Sequence, residues 1–270
     1  MPENTPRTQR STRKRGRRNP LATAALIAIG LVFTGGAYAA FSTSTASAEV
    51  DMASQQTIDE GKKLFQANCA TCHGLAAQGT DNAPSLIGVG AASVDFQVGT
   101  GRMPMQMQGP QALEKPPQFT DDETKALAAF VASLAPGPAI PPADITSGGG
   151  DTSRGGELFR INCAMCHNVA GAGGALTEGK FAPPLTTVSG VHIYEAMITG
   201  PQNMPVFNDL NLTPEDKRDI ITYLKYVQDT PSPGGLDLGA LGPVSEGLFI
   251  WIFGIGAIVA LTVWITAKSN

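Results

Sequence analysis

Basic side chains are scarce where a nucleic-acid-binding protein would need them. Residues 49 to 236 hold 20 acids against 11 bases, a balance that repels phosphate backbones and excludes nucleic acid as a partner. Alternating apolar and polar stretches of useful length are also missing, which removes sheet architectures and leaves a mostly α-helical fold class. No charge occurs between Arg18 and Glu49, so that stretch is no solvated surface segment. Cysteine and histidine are sparse too, with four and three copies in 270 residues. Where they fall therefore carries information.

Glycine and proline are plentiful, at 31 and 20 residues, and point to many loops around two small domains. The basic run Arg7–Arg18 is followed by "LATAALIAIGLVFTGGAYAAF", Leu21 to Phe41. That apolar run has about the 20 residues a membrane-spanning helix needs. Ala46, Ser47 and Ala48 supply the small-x-small pattern of a signal-peptidase site, so a cleaved signal and a retained anchor both fit residues 1–48. Either way the positive flank stays in the cytoplasm and residues from 49 onward are expected outside it. A second uncharged run, "GLFIWIFGIGAIVALTVWITA" at 247–267, reads as a transmembrane helix. Its two tryptophans, Trp251 and Trp264, lie about 20 Å apart along a helix and suit opposite membrane interfaces. Lys268 then marks a cytoplasmic C-terminus, with the domains before it on the extracytoplasmic side of a bacterial cell membrane.

Between these segments the chain repeats itself. "GKKLFQANCATCHG" starts at Gly61 and "GGELFRINCAMCHN" at Gly155, so Leu64, Phe65, Asn68, Cys69, Cys72 and His73 recur 94 residues later. "APSL" at Ala83 answers "APPL" at Ala182, and "TGRMP" at Thr100 answers "TGPQNMP" at Thr199. Internal duplication is the simplest account. Each copy closes with a helix. Thr120 and Glu123 form a capping box ahead of Leu127, Phe130, Val131 and Leu134. Thr213 precedes Pro214 at the first helical position, ahead of Ile220, Tyr223, Leu224 and Val227. The expected division is two domains, 51–135 and 154–230. A proline- and glycine-rich linker with little to bury spans 136–153, and a second linker 231–246 leads to the tail helix.

All four cysteines lie in "CATCH" and "CAMCH", each followed by histidine. This is the attachment signature of c-type haem: two thiols three apart each add to a haem vinyl group, and the adjacent imidazole is directed at the iron. A disulfide scaffold does not require histidine twice at one place, a thioredoxin-like pair needs a βαβ setting, and Cys₂His zinc lacks a fourth ligand. Cys69, Cys72, His73, Cys163, Cys166 and His167 are thus the expected haem-binding residues. A late-loop methionine would complete a six-coordinate iron of raised potential. Met204 in "QNMPVF" is followed by proline and Met103 in "GRMPM" is its match, giving the axial pairs His73/Met103 and His167/Met204. Met105 and Met107, in an insertion of about eight residues, are the alternatives for the first iron. Met197 reads as core, and Met165, inside its motif, cannot reach round the ring. His192 could replace a methionine, although a structural or surface role suits it better. The carbonyls of Pro84 and Pro183 could accept from the far ring nitrogens of His73 and His167, or these prolines only stiffen their loops.

These residues together resemble a known family. Tandem Cys-X-X-Cys-His units, the "GTGRMP" and "TGPQNMP" loops, the basic exported N-terminus and the C-terminal membrane helix look like the dihaem cytochrome c subunit of the actinobacterial cytochrome bc1 complex, over Gly61 to Asn270. The resemblance implies two covalently bound haem c groups. It implies electron transfer from the Rieske iron–sulfur subunit, after quinol oxidation at the cytochrome b subunit, to an aa3-type cytochrome c oxidase in a supercomplex. The chain would then be an electron-transfer subunit of an oxidoreductase complex and not catalytic by itself. A dihaem peroxidase would need one iron with a vacant or displaceable ligand. A dihaem subunit of another respiratory complex would differ in its partners.

Overall fold

The computed structural model describes residues 20–43, 50–230 and 243–268. The basic run Arg7–Arg18, the Ala46-Ser47-Ala48 site and most of the linker 231–246 lie outside the described residues. The N-terminal apolar run forms one helix, α1 (Pro20–Thr43), long and apolar enough to cross a membrane.

In the first repeat α2 (Gln55–Asn68) runs into the one-turn α3 (Ala70–His73), then come α4 (Gly90–Gly99) and α5 (Asp121–Leu134). After α6 (Ala143–Thr146) the order recurs as α7 (Thr152–Asn162), α8 (Ala164–His167), α9 (Gly190–Thr199) and α10 (Pro214–Asp229). The only strands among the described residues are two-residue pieces, β1 (Gly174–Ala175) and β2 (Phe181–Ala182), paired antiparallel after α8.

The two closing helices begin where their caps are. Thr120 accepts from the Glu123 amide while Glu123 reaches back to the Thr120 amide, and Thr213 and Asp216 repeat the exchange with Pro214 at the first turn. Both repeats are built on the same crossing. α2 lies against α5 through Gly61, where an added Cβ would run into the Ala126 carbonyl, and α7 lies against α10 through Gly155 and the Asp219 carbonyl. Phe65 then stacks obliquely on Phe130, centroids 5.2 Å apart, and Phe159 on Tyr223 at 5.5 Å. Phe65, Leu127 and Val131 fill one core, and Phe159, Ile220, Ile221 and Leu224 the other. Burial of several such side chains, at about 1.5–3 kcal/mol each, supplies most of the driving force in repeats this small.

The proline- and glycine-rich stretch between the repeats is more than a tether. Pro138 accepts from Ala92 N at 3.1 Å, and Gly137 packs against the Gly88–Gly90 backbone. Further on Thr146 is buried against Gly190, Ser147 O accepts from Lys225 Nζ, and Asp151 N donates to Asp219 Oδ1 at 2.8 Å. Its first part is therefore tied to the first repeat and its last part to the second. The reading of a linker with little to bury gives way here, because contacts to residues 44 to 78 positions away leave no local pattern. The tail is helical throughout as α11 (Pro243–Phe249), a π-helical stretch Ile250–Ile255 and α12 (Gly256–Lys268). Ser245–Lys268 is long and apolar enough to cross a membrane, and about 36 Å of helix exceeds a hydrocarbon core of about 30 Å.

Candidate haem sites

Each Cys-X-X-Cys-His stretch is bent into a single helical turn directly after a longer helix. Cys69 O accepts from Cys72 N at 3.1 Å and His73 N at 2.9 Å, and Cys163 O accepts from Cys166 N and His167 N at the same two distances. The turn ends on a residue of positive φ, Gly74 in one copy and Asn168 in the other. Both residue types tolerate the left-handed side of the map. The chain then folds back under the histidine: Gly79 N donates to His73 O and Gly173 N to His167 O, while Leu86 N reaches Ala77 O and Leu185 N reaches Gly171 O.

This backbone frame sets the histidines. His73 Nδ1 lies 2.8 Å from Pro84 O and His167 Nδ1 lies 3.0 Å from Pro183 O. A carbonyl only accepts, so Nδ1 carries the proton and Nε2 keeps its lone pair, the tautomer an iron-ligating imidazole requires. Of the two roles considered for Pro84 and Pro183, the contact to the ring is the one observed. Burial lowers the pKa of His167, partly offset by the Pro183 hydrogen bond, which favours the neutral ring. Burial, with the second cysteine adding to it, pushes the Cys69 thiol up to about 11 and the Cys163 thiol up to about 12. Both thiols are therefore protonated near neutrality.

Cys163, Cys166, His167 and Met204 all line one cleft of about 570 Å³, within the usual range of roughly 300–1,000 Å³ for cofactor sites. Its walls are largely apolar, with Phe159, Leu185, Ile193, Met197 and Phe207 among them. In the first repeat His73 is buried, and Cys69, Ala70 and Met103 pack against a shared core with Phe65 and Leu127. The donor set in each repeat, two thiols and one imidazole of fixed tautomer with a half-buried methionine packed on the same core, fits a covalently held haem.

The methionine loops are shaped by their backbones. Met103 N donates to Gln97 O at 2.9 Å, and Lys115 Nζ binds the carbonyls of Gly101 and Arg102 just before it. Gly200 ends α9 in the left-handed region, and a Cβ there would stand 2.9 Å from Met204 O. Met204 packs against the second core as Met103 does against the first. Met105 and Met107 are exposed, Met107 at 79 %, and Met165 is exposed as well. Met197 is buried on α9.

Sequence reasoning missed what the first repeat contributes to the second cleft. Phe96, Arg102, Gln111, Glu114 and Lys115 form part of its wall. The insertion reaches across to the second repeat: Gln111 exchanges two hydrogen bonds of 2.9 Å with the Phe181 backbone, and Gln202 exchanges two of 3.1 Å with Ala112. Arg102 is buried, with its guanidinium 4.9 Å from the centre of the Phe96 ring and 3.4 Å from Glu114. His192 lies on the wall of the same cleft, edge-on to Phe96. No local sequence signal marks these partners, apart from the insertion itself, whose excess length over the second copy calls for a use.

Comparison with known proteins matches each repeat to a family model. Residues 58–135 match the model described as cytochrome c, and residues 150–224 match the one described as cytochrome C oxidase, cbb3-type, subunit III. The whole chain is similar to the cytochrome bc1 complex cytochrome c subunit of Corynebacterium efficiens, 44 % identical over 95 % of this chain and 92 % of the relative. That of Corynebacterium diphtheriae is 43 % identical over 93 % and 95 %, and that of Mycobacterium tuberculosis is 44 % identical over 96 % and 94 %.

Proposed function

The chain belongs to the family of cytochrome bc1 complex cytochrome c subunits, and from that premise we propose that it binds two haem c groups and relays electrons within a respiratory supercomplex. In this reading Cys69 and Cys72, and likewise Cys163 and Cys166, would hold haem through thioethers, each S–H adding across a vinyl double bond with sulfur to one carbon and hydrogen to the other. His73 and Met103 would hold the iron of the first haem, and His167 and Met204 that of the second. A haem so held exchanges one electron at a time between ferrous and ferric iron. Two axial protein ligands keep it for electron transfer and away from small-molecule binding.

The observation that carries the reading is the matched pair of histidines, each with Nδ1 fixed by the carbonyl of a proline downstream and Nε2 left as a ligand. The protein chain does the remaining work through packing. Apolar side chains pack around Met204 and His167 in the second site, and His73 is buried in the first.

Electrons enter from the Rieske iron–sulfur subunit after quinol oxidation at the cytochrome b subunit and leave to an aa3-type cytochrome c oxidase. The acidic balance of residues 49–236 suits docking to fixed protein partners. The tail helix anchors the chain with both haem units on the extracytoplasmic side and Lys268 in the cytoplasm. Mild detergent extraction from native membranes tests this. Recovery with cytochrome b, a Rieske protein and oxidase subunits, and two haem c per chain by intact mass, is the expected result. Recovery of the chain alone, or of one haem, would overturn it.

A further inference from the structure

The packing of α4 on α9 brings together three side chains that haem attachment leaves unused. Asp95 from the first repeat meets His192 and Glu195 from the second, and one ligand atom of each lies within 4.8 Å of the others. His192 Nε2 stands 4.0 Å from Asp95 Oδ2. Glu195 is fully buried, and as a carboxylate neither of its oxygens meets a donor; its polar neighbour is the Asp95 side chain, to which it can hydrogen-bond only when one of the two carries a proton. A bare carboxylate in that position is costly, and a second carboxylate beside it adds repulsion. The pair must hold either a proton or a cation between them.

The donors favour a particular cation. The imidazole is a borderline ligand that suits zinc, which also accepts carboxylate oxygen, whereas calcium and magnesium prefer oxygen alone. His192 and Glu195 are three residues apart on α9 and so project from the same side of the helix. Burial, with Arg102 adding to it and the Asp95, Glu114 and Asp121 carboxylates opposing it, lowers the pKa of His192. The neutral ring this favours is the ligating form. Burial and the Asp95 carboxylate push the Glu195 carboxyl up to about 10, so it is protonated near neutrality until a cation displaces the proton.

We propose that Asp95, His192 and Glu195 form a divalent-cation site of the zinc type that bridges the two repeats and clamps α4 to α9. Binding releases the Glu195 proton to solvent, and the three side chains leave a fourth tetrahedral position to water. The sequence has three histidines, and two of them belong to the haem motifs, so His192 is the imidazole free to serve.

The test uses the full haem-loaded chain in detergent, stripped with a chelator and titrated with Zn²⁺ against a chromophoric competitor. One Zn²⁺ bound per chain, with a rise in thermal midpoint and loss of both in His192→Gln and Glu195→Gln chains that still carry two haem c by intact mass, is the expected result. No stoichiometric zinc would mean that the carboxylates share only a proton, and zinc that persists in His192→Gln would place it elsewhere. Either outcome overturns the proposal. Should Glu195→Gln fail to assemble, His192→Gln decides alone, since its side chain is partly exposed.

Discussion

The two repeats share a frame and differ in what they add to it. Around the Cys-X-X-Cys-His turn the same hydrogen bonds recur, from Cys69 O to Leu86 N and from Cys163 O to Leu185 N, including the histidine-to-proline contact, while the second repeat alone adds the β1–β2 pair between them. Beyond α4 and α9 they diverge. The first repeat extends its loop onto the second through Gln111, whereas the second closes its loop directly, with Phe207 N on Met197 O at 2.7 Å. Within the closing helices Thr124 of the first corresponds to Lys217 of the second. Lys217 is fully buried, its ammonium 2.6 Å from Asp209 and 5.5 Å from the centre of the Tyr194 ring. The frame that holds a haem is thus kept, while the surfaces that join the repeats have drifted apart.

The sharpest way to break the equivalence is at the methionines. Replacing Met204 by leucine should abolish about half of the near-infrared sulfur-to-iron absorbance of the oxidised protein, and Met103→Leu the other half, each with a fall in the potential of one haem. Met105→Leu and Met107→Leu should leave the spectrum unchanged. If Met103→Leu leaves both haems intact while either of the others does not, the first loop uses a different sulfur and the repeats are not equivalent at the iron.

Next in size is the helix crossing, where the repeats should respond alike. A methyl group at Gly61 collides with the Ala126 carbonyl and one at Gly155 with the Asp219 carbonyl. Overpacking at such a contact costs about 1–3 kcal/mol. Gly61→Ala and Gly155→Ala should each lower the midpoint of denaturant unfolding, followed through the haem absorbance of its own repeat, by similar amounts. A loss confined to one variant would show that the crossings only look alike.

What could be read in advance follows from range along the chain. Capping boxes, the one-turn haem motifs and the apolar faces of α5 and α10 are set by residues three or four apart, and the structure has them where that spacing puts them. The histidine-to-proline contacts span 11 and 16 residues but sit at matching places in the two copies, so duplication exposed them. The grouping of Asp95 with His192 and Glu195, the burial of Thr146 and the reach of Gln111 to Phe181 each depend on how two repeats settle against one another. Nothing periodic or paired in the sequence encodes that choice. His192 shows the limit well. Its place near the start of a helix was legible, its neighbours across the interface were not.

The smallest expected effect concerns the bridge itself. Gln111 and Gln202 each place both amide atoms on backbone of the other repeat, and the atoms involved are exposed. Exposed neutral hydrogen bonds contribute about 0.5–1.5 kcal/mol apiece at most, so Gln111→Ala should barely change global stability. It should instead loosen the loop over the second cleft, since the walls that Arg102 and Lys115 supply are held to Phe181 through Gln111. Amide exchange at Phe181, whose N–H donates to Gln111 Oε1 at 2.9 Å, is the local reporter. Exchange there should accelerate by about tenfold, the equivalent of about 1.4 kcal/mol, while amides in α5 and α7 keep their protection. Equal acceleration throughout the second repeat would mean that the loop holds that repeat together, and the picture of a conserved frame with drifting surfaces would have to be redrawn.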